Sequence, residues 1–160
     1  MAQLMLQTPQ ELMQYQLRTA LTMEADSLAA LGELAKAAKS REVKDMFKHH
    51  SDETKEQIEN LHKIFQLLDL KLTSAPSPST KGISKQAESL IGKSATKLRD
   101  QVVLSCALGN EHYEISAYRG LILPATAMGA MEVVSLLQAN LDQETHTSEE
   151  LEGMLQKVVG

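Results

Sequence analysis

Four long stretches of this chain carry an apolar stripe of helical period, and each stripe is interrupted by a carboxylate where a hydrophobe belongs: Glu24, Glu53, Glu111 and Glu144. In the first stretch Met13, Leu17, Leu21, Leu28, Leu31 and Ala35 advance by threes and fours, and Glu24 fills the place between Leu21 and Leu28. Charged side chains are almost never fully buried unless they are paired or bind a metal. One inward carboxylate per helix, repeated four times, is how a helical bundle builds a two-metal site. The spacing supports this, because Glu24 and Glu53 are 29 residues apart and Glu111 and Glu144 are 33 apart. Each pair spans one helical hairpin, so its members return to similar depth.

The helices have readable ends. Thr8-Pro9-Gln10-Glu11 combines an N-cap, a proline in the first turn and a capping-box glutamate. It predicts a first helix from Pro9 to about Ala38. Ser40 caps a second, from Arg41 to about Leu70, with the stripe Val43, Met46, His50, Glu53, Gln57, Leu61, Ile64 and Leu68. So short a junction makes the pair antiparallel. Thr73 to Thr80, with two prolines among Ser and Thr, reads as a loop crossing the bundle end, within residues 71–81. A short helix is expected over Ile83 to Gly92. The third long helix begins near Ser94, carries Leu104, Ala107, Glu111, Glu114, Tyr118 and Ile122, and is stopped or kinked by Pro124. After a turn at Met128-Gly129 the fourth starts near Ala130, with Val134, Leu137, Leu141, Glu144, Ser148, Leu151 and Leu155 on its stripe. Thr147-Ser148-Glu149-Glu150 offers an alternative cap that would break this helix, but a continuous helix fits the stripe better. The expected fold is all-α: an antiparallel four-helix bundle of ferritin-like topology, with a long crossover carrying a short extra helix.

Composition narrows the partners. The 160 residues suit one domain over 1–160, and with 42% hydrophobic but only 3% aromatic residues the core is aliphatic. A net charge of -5 without a basic block argues against nucleic acid. No apolar run approaches the roughly 20 residues that span a bilayer, and the N-terminus lacks the pattern of a secretory leader. With the lone Cys106, which excludes an intramolecular disulfide, the expectation is a cytoplasmic protein.

Hard carboxylate oxygens suit iron or manganese, and bridging carboxylates hold two such ions close together. Glu114, one turn beyond Glu111, adds a fifth inward carboxylate, and His50, one turn before Glu53, is the best-placed nitrogen donor. The candidate ligand set is therefore Glu24, Glu53, Glu111, Glu114, Glu144 and His50, holding two Fe or Mn ions per subunit. Gln57 is placed to support a ligand, and Tyr118 to touch the site or fill space. His49, His62, His112 and His146 fall off the inward stripes and are expected at the surface; Cys106 is expected only to pack. At the offsets where better-known di-iron bundles carry the histidine of Glu-x-x-His, this chain has Glu56 and Thr147.

HHSDETKEQIENL around Glu53, EHYEISAY from Glu111 to Tyr118, LDQETHTSEEL around Glu144 and MEADSLAALGELAKAAKS around Glu24 together resemble the YciE/YciF-type family of ferritin-like bacterial stress proteins, over about Leu17 to Leu155. The resemblance implies a ferritin-like bundle, often a dimer, with a two-metal site or its vestige at the matched carboxylates. The chain departs from the family at Gln143, where an acidic residue is common, and at Ala25-Asp26, where Lys-Gln frequently follows the first-helix Glu. Three functions are set against one another: a di-metal protein, an oxidase or peroxidase, reacting with peroxide or dioxygen; a metal-free, non-enzymatic homodimeric stress or scaffold protein; and, ranked last, an iron-storing cage.

Overall fold

A computed structural model describes residues 5–160; the first four residues of the stretch scanned for a leader lie outside it. Five α-helices account for the described fold: α1 Pro9–Ala37, α2 Arg41–Leu67, α3 Pro78–Lys93, α4 Arg99–Ala127 and α5 Met131–Val159, with a 3-10 turn at Thr96–Leu98 before α4. Two apolar clusters fix their directions. One joins Met13, Leu17 and Met23 of early α1 to Leu61 and Phe65 of late α2, Leu121 of late α4 and Leu137 of early α5. The other joins Leu31 and Leu34 of late α1 to Val43 and Phe47 of early α2, Val103 and Leu104 of early α4 and Leu151 of late α5. So α1 and α5 run one way and α2 and α4 the other, as two antiparallel pairs. This is the all-α, ferritin-like bundle the stripes predict.

The ends follow local chemistry. Thr8 Oγ1 accepts the Glu11 N–H at 3.1 Å while Glu11 Oε2 accepts the Thr8 N–H at 3.2 Å, completing the capping box. Ser40 Oγ accepts from the Val43 N–H at 3.2 Å. The junction between α1 and α2 is also tied to α4, a link that no local sequence pattern suggests. Asp100 Oδ1 accepts the Lys39 N–H at 2.6 Å, and Oδ2 accepts that of Ser40 at 3.1 Å.

Four expectations need correction. Helix α2 ends at Leu67 rather than Leu70, because Asp69 turns left-handed at φ 52 and the Leu70 N–H closes back on the Phe65 carbonyl at 2.8 Å. Helix α3 begins at Pro78, inside the stretch read as loop: proline suits a first turn, and Thr80 Oγ1 donates to Ser77 Oγ at 2.7 Å. Helix α4 starts at Arg99, after the 3-10 turn at Thr96–Leu98, rather than near Ser94, and it ends at Ala127 with Pro124 in its last turn, where only one helical bond is forfeited. In α2 Phe47 and Thr54 are buried where the stripe placed Met46 and Glu53, which lie at the flank. The continuous reading of the last helix holds, since α5 passes through Thr147 unbroken.

The crossover is pinned across α1. The Ala75 N–H donates to the Arg18 carbonyl at 3.1 Å and Thr22 Oγ1 donates to the Ala75 carbonyl at 2.6 Å. Beyond it α3 lies against α1 and α4 and returns the chain to the far end of the bundle. Among the described residues no helix is long and apolar enough to cross a membrane.

The turn between α4 and α5 depends on Gly129, at φ +72, where a Cβ atom would meet nothing within 4 Å. Gly129→Ala therefore costs only backbone strain, about 1–2 kcal/mol, read as a lower urea midpoint with an unchanged slope.

Candidate metal centre

The centre is built where the two apolar clusters meet, halfway along the bundle. Glu24 comes from α1, Glu111 and Glu114 from successive turns of α4, and Glu144 from α5; exposures are 0%, 3%, 1% and 3%. One carboxylate oxygen from each of Glu24, Glu114 and Glu144 lies within 4.8 Å of the others. Glu111 joins this group through hydrogen bonding with Glu144. Helical geometry explains the convergence, since residues three apart on α4 share a face, and α1 and α5 present one acidic position each at the same depth.

Burial sets the electrostatics. It raises Glu24 to about 8, although the hydrogen bond from Tyr118 works in the opposite direction. Glu111, Glu114 and Glu144 are raised well above the usual carboxylate range by burial first, and by the neighbouring negative charges next. Among the described residues no lysine, arginine or histidine pairs with any of these four. Glu24 Oε2, Glu111 Oε2 and Glu114 Oε1 are buried without a hydrogen-bond partner. Buried acceptors of that kind are costly unless something positive meets them, so the donor set fits hard divalent cations.

A neutral network holds one side of the cluster. Tyr118 Oη donates to Glu24, and accepts from Asn140 Nδ2 at 3.1 Å. Asn140 Nδ2 also donates to the Gln57 carbonyl at 3.2 Å, and Asn140 Oδ1 accepts from Asn60 Nδ2 at 2.8 Å. Tyr118 thus touches the site, and burial together with the adjacent Glu24 holds its phenol neutral. Gln57 contributes its backbone carbonyl to this network. The sequence pattern does not single out Asn140; its one available signal is a buried-type position one residue before Leu141.

The remaining candidates lie to the side. Glu53 is half-buried at the rim, its Oε1 2.8 Å from His49 Nε2, and burial raises its pKa. It is still near enough to Glu111 to disfavour ionisation there. His50 is buried, as its stripe position predicts, but its Nε2 faces Glu150 Oε2 of α5 at 3.3 Å. His49, His62, His112 and His146 are exposed, and Cys106 packs at the edge of the far apolar cluster. Gln143 Nε2 donates to Glu56 Oε2 at 3.0 Å, so the glutamine at which the chain departs from the family pattern pairs with the glutamate that stands at one of the two histidine offsets of di-iron bundles.

Two outcomes follow for the metal-free protein. Groups whose folded pKa is raised keep their full contribution below about pH 4.5, and lose it as pH climbs through the folded values, about 8 for Glu24. Thermal stability in chelator should therefore fall between pH 5 and pH 8, and Glu144→Gln should flatten that decline. Tyr118→Phe should cost about 1–3 kcal/mol by urea unfolding, because it strips partners from Glu24 and Asn140. It should also move the Glu24 titration upward.

Comparisons with known proteins agree with this architecture. The sequence profile of a family described as Domain of unknown function (DUF892) matches residues 8–160. Protein YciF of Escherichia coli (strain K12) is 28% identical over 120 residues, 74% of this chain and 72% of its own length. The crystal structure of the E. coli stress protein YciF superposes with a TM-score of 0.91 at 25% identity, over 96% of this chain and 98% of that one. YcfI from Rhodopseudomonas palustris superposes at 0.89 with 30% identity, over 91% and 94% of the two chains.

Proposed function

The chain belongs to the DUF892 family, and we propose that it is a stress-associated bundle protein with a carboxylate-bridged centre for two iron or manganese ions. The observation that carries this reading is the meeting of Glu24, Glu114 and Glu144 oxygens within 4.8 Å, deep in the bundle and without a protein cation. Glu24, Glu111, Glu114 and Glu144 together carry, when ionised, the charge that balances two divalent ions. Glu53 completes the set from the rim. When bound, iron or manganese supplies electrons to a small oxidant such as peroxide or dioxygen.

The chain's own residues do the rest. Tyr118 holds Glu24 in one orientation through its hydroxyl, and Asn140 fixes that hydroxyl in turn. The apolar layers above and below the carboxylates keep bulk water away and make each charge count for more. Glu24, protonated at neutral pH in the metal-free protein, gives up its proton on loading, so affinity rises with pH. We further propose a cytoplasmic homodimer forming a single domain, with E. coli YciF, described as a stress protein, as the guide to setting.

A second reading is favoured by Glu56 and Thr147 standing where imidazole ligands would strengthen a site: a metal-free dimeric stress or scaffold protein, its carboxyls protonated against one another. Expression with added iron or manganese, followed by mass-spectrometric metal analysis and a peroxide assay, separates the two. About two ions per chain are expected, with most of the metal lost in Glu24→Gln/Glu144→Gln. Protein that takes up neither metal from micromolar supply, and is stabilised by the same changes at pH 8, would establish the second reading. Size-exclusion chromatography tests the dimer and, through a large shell, the cage.

A further inference from the structure

Helix α3 is seated lightly on the bundle. Thr80 is its one buried residue, and Thr80 Oγ1 donates to Asp26 Oδ2 at 2.8 Å. Ile83, Ala87 and Ile91, which follow it toward α1 and α4, are only half-buried. Between α3 and α1 lies a groove of about 630 Å³, walled on the α1 side by Ala29, Ala30 and Ala37. It meets a second, much smaller cavity of about 20 Å³, since Ala30, Leu34, Ser84 and Ala87 line both. That neck continues between α1, α3 and α4, past Cys106, to Ser27, Asn110 and Glu111. Small side chains account for it, because alanine at 30, 87 and 107 leaves volume that a larger residue would fill.

The inner end of the neck is polar. Glu111 is 3% exposed, and its Oε2 has no hydrogen-bond partner. Beside it Ser27 Oγ accepts from Asn110 Nδ2 at 3.0 Å, and Ser27 hydrogen-bonds Glu114 in turn. We infer that the groove and its neck admit hydrogen peroxide to the carboxylate centre, with Ala30 and Ala87 setting the width. The use of the passage rests on the two-metal reading; its geometry does not. Size argues first. Room for about one or two heavy atoms passes peroxide or water and turns away hydrated ions and organic hydroperoxides. Leu31 and Leu34 in the wall disfavour charged species further. Polarity argues second. Dioxygen makes no use of Ser27, Asn110 and Glu111, whereas peroxide donates to an orphaned carboxylate oxygen and accepts from an amide.

The test places a thiol at the inner end of the neck in the metal-free full chain. In Cys106→Ser/Glu111→Cys, hydrogen peroxide should convert the introduced thiol to a sulfenic acid with release of water, read by mass spectrometry after dimedone trapping. tert-Butyl hydroperoxide, each rate normalised to that with free cysteine, should react far more slowly. Adding Ala87→Leu from α3, or Ala30→Leu from α1, should slow the hydrogen peroxide reaction by roughly tenfold. Far-ultraviolet circular dichroism verifies each fold, and plugs from two helices guard against one that merely displaces α3. In the iron-loaded chain with its native Cys106 and Glu111, the same two plugs should leave metal content unchanged and slow the loss of ferrous iron on peroxide addition. A chain that takes up no metal removes the two-metal reading and leaves the thiol result standing. The inference is overturned if the introduced thiol stays unoxidised, if neither plug slows it, or if the two peroxides react alike.

Discussion

Four carboxyl groups held within a dry helical interior, without a protein cation to meet them, are the constraint around which this bundle is organised. Desolvating even one ionised carboxylate costs several kcal/mol, so the fold tolerates four only by keeping protons on them or admitting positive ions. The surrounding structure accordingly does two things. It supplies enough apolar burial at both ends of the bundle to carry an unfavourable middle layer, and it lends Glu24 one neutral donor in Tyr118. A lysine or arginine in the same place would neutralise the layer permanently and close it to ligands.

The buried cluster is made of oxygen alone, is shut off from solvent, and suits hard ions. Beside it, His50 and His146 flank the two oxygens of the Glu150 carboxylate. Glu53 lies between them, touching His49 at the rim and influencing Glu111 within. Helix α2 therefore serves the rim with His49 and Glu53, while Glu24 of α1 and Glu111 and Glu114 of α4 line the interior.

Much of the fold was legible because stripes of period 3.6 and helix caps are local. The Thr8–Glu11 capping box and the Ser40 cap needed no tertiary information. The boundary errors are equally physical. Asp69 adopts a left-handed turn that its composition does not require, and the loop-like TSAPSPST hides a proline at a first helical turn. On α1 the face that packs inward includes Ala20, Met23 and Ser27, while Leu21 and Leu28 sit at its flank. Small residues let helices approach, and a stripe drawn through the largest hydrophobes overlooks them.

The amino-acid order alone determined that there would be four long amphipathic rods with an acidic interruption in each, since that pattern repeats within short windows of chain. Only the tertiary structure decided which acids share a centre. Rotation of α2 about its axis by a fraction of a turn leaves Glu53 at the rim and turns His50 toward Glu150, whereas α1, α4 and α5 bring Glu24, Glu111, Glu114 and Glu144 together. That rotation is set by how Phe47, Leu61 and Phe65 pack against the other helices, a sum over contacts distant in sequence that no local spacing encodes.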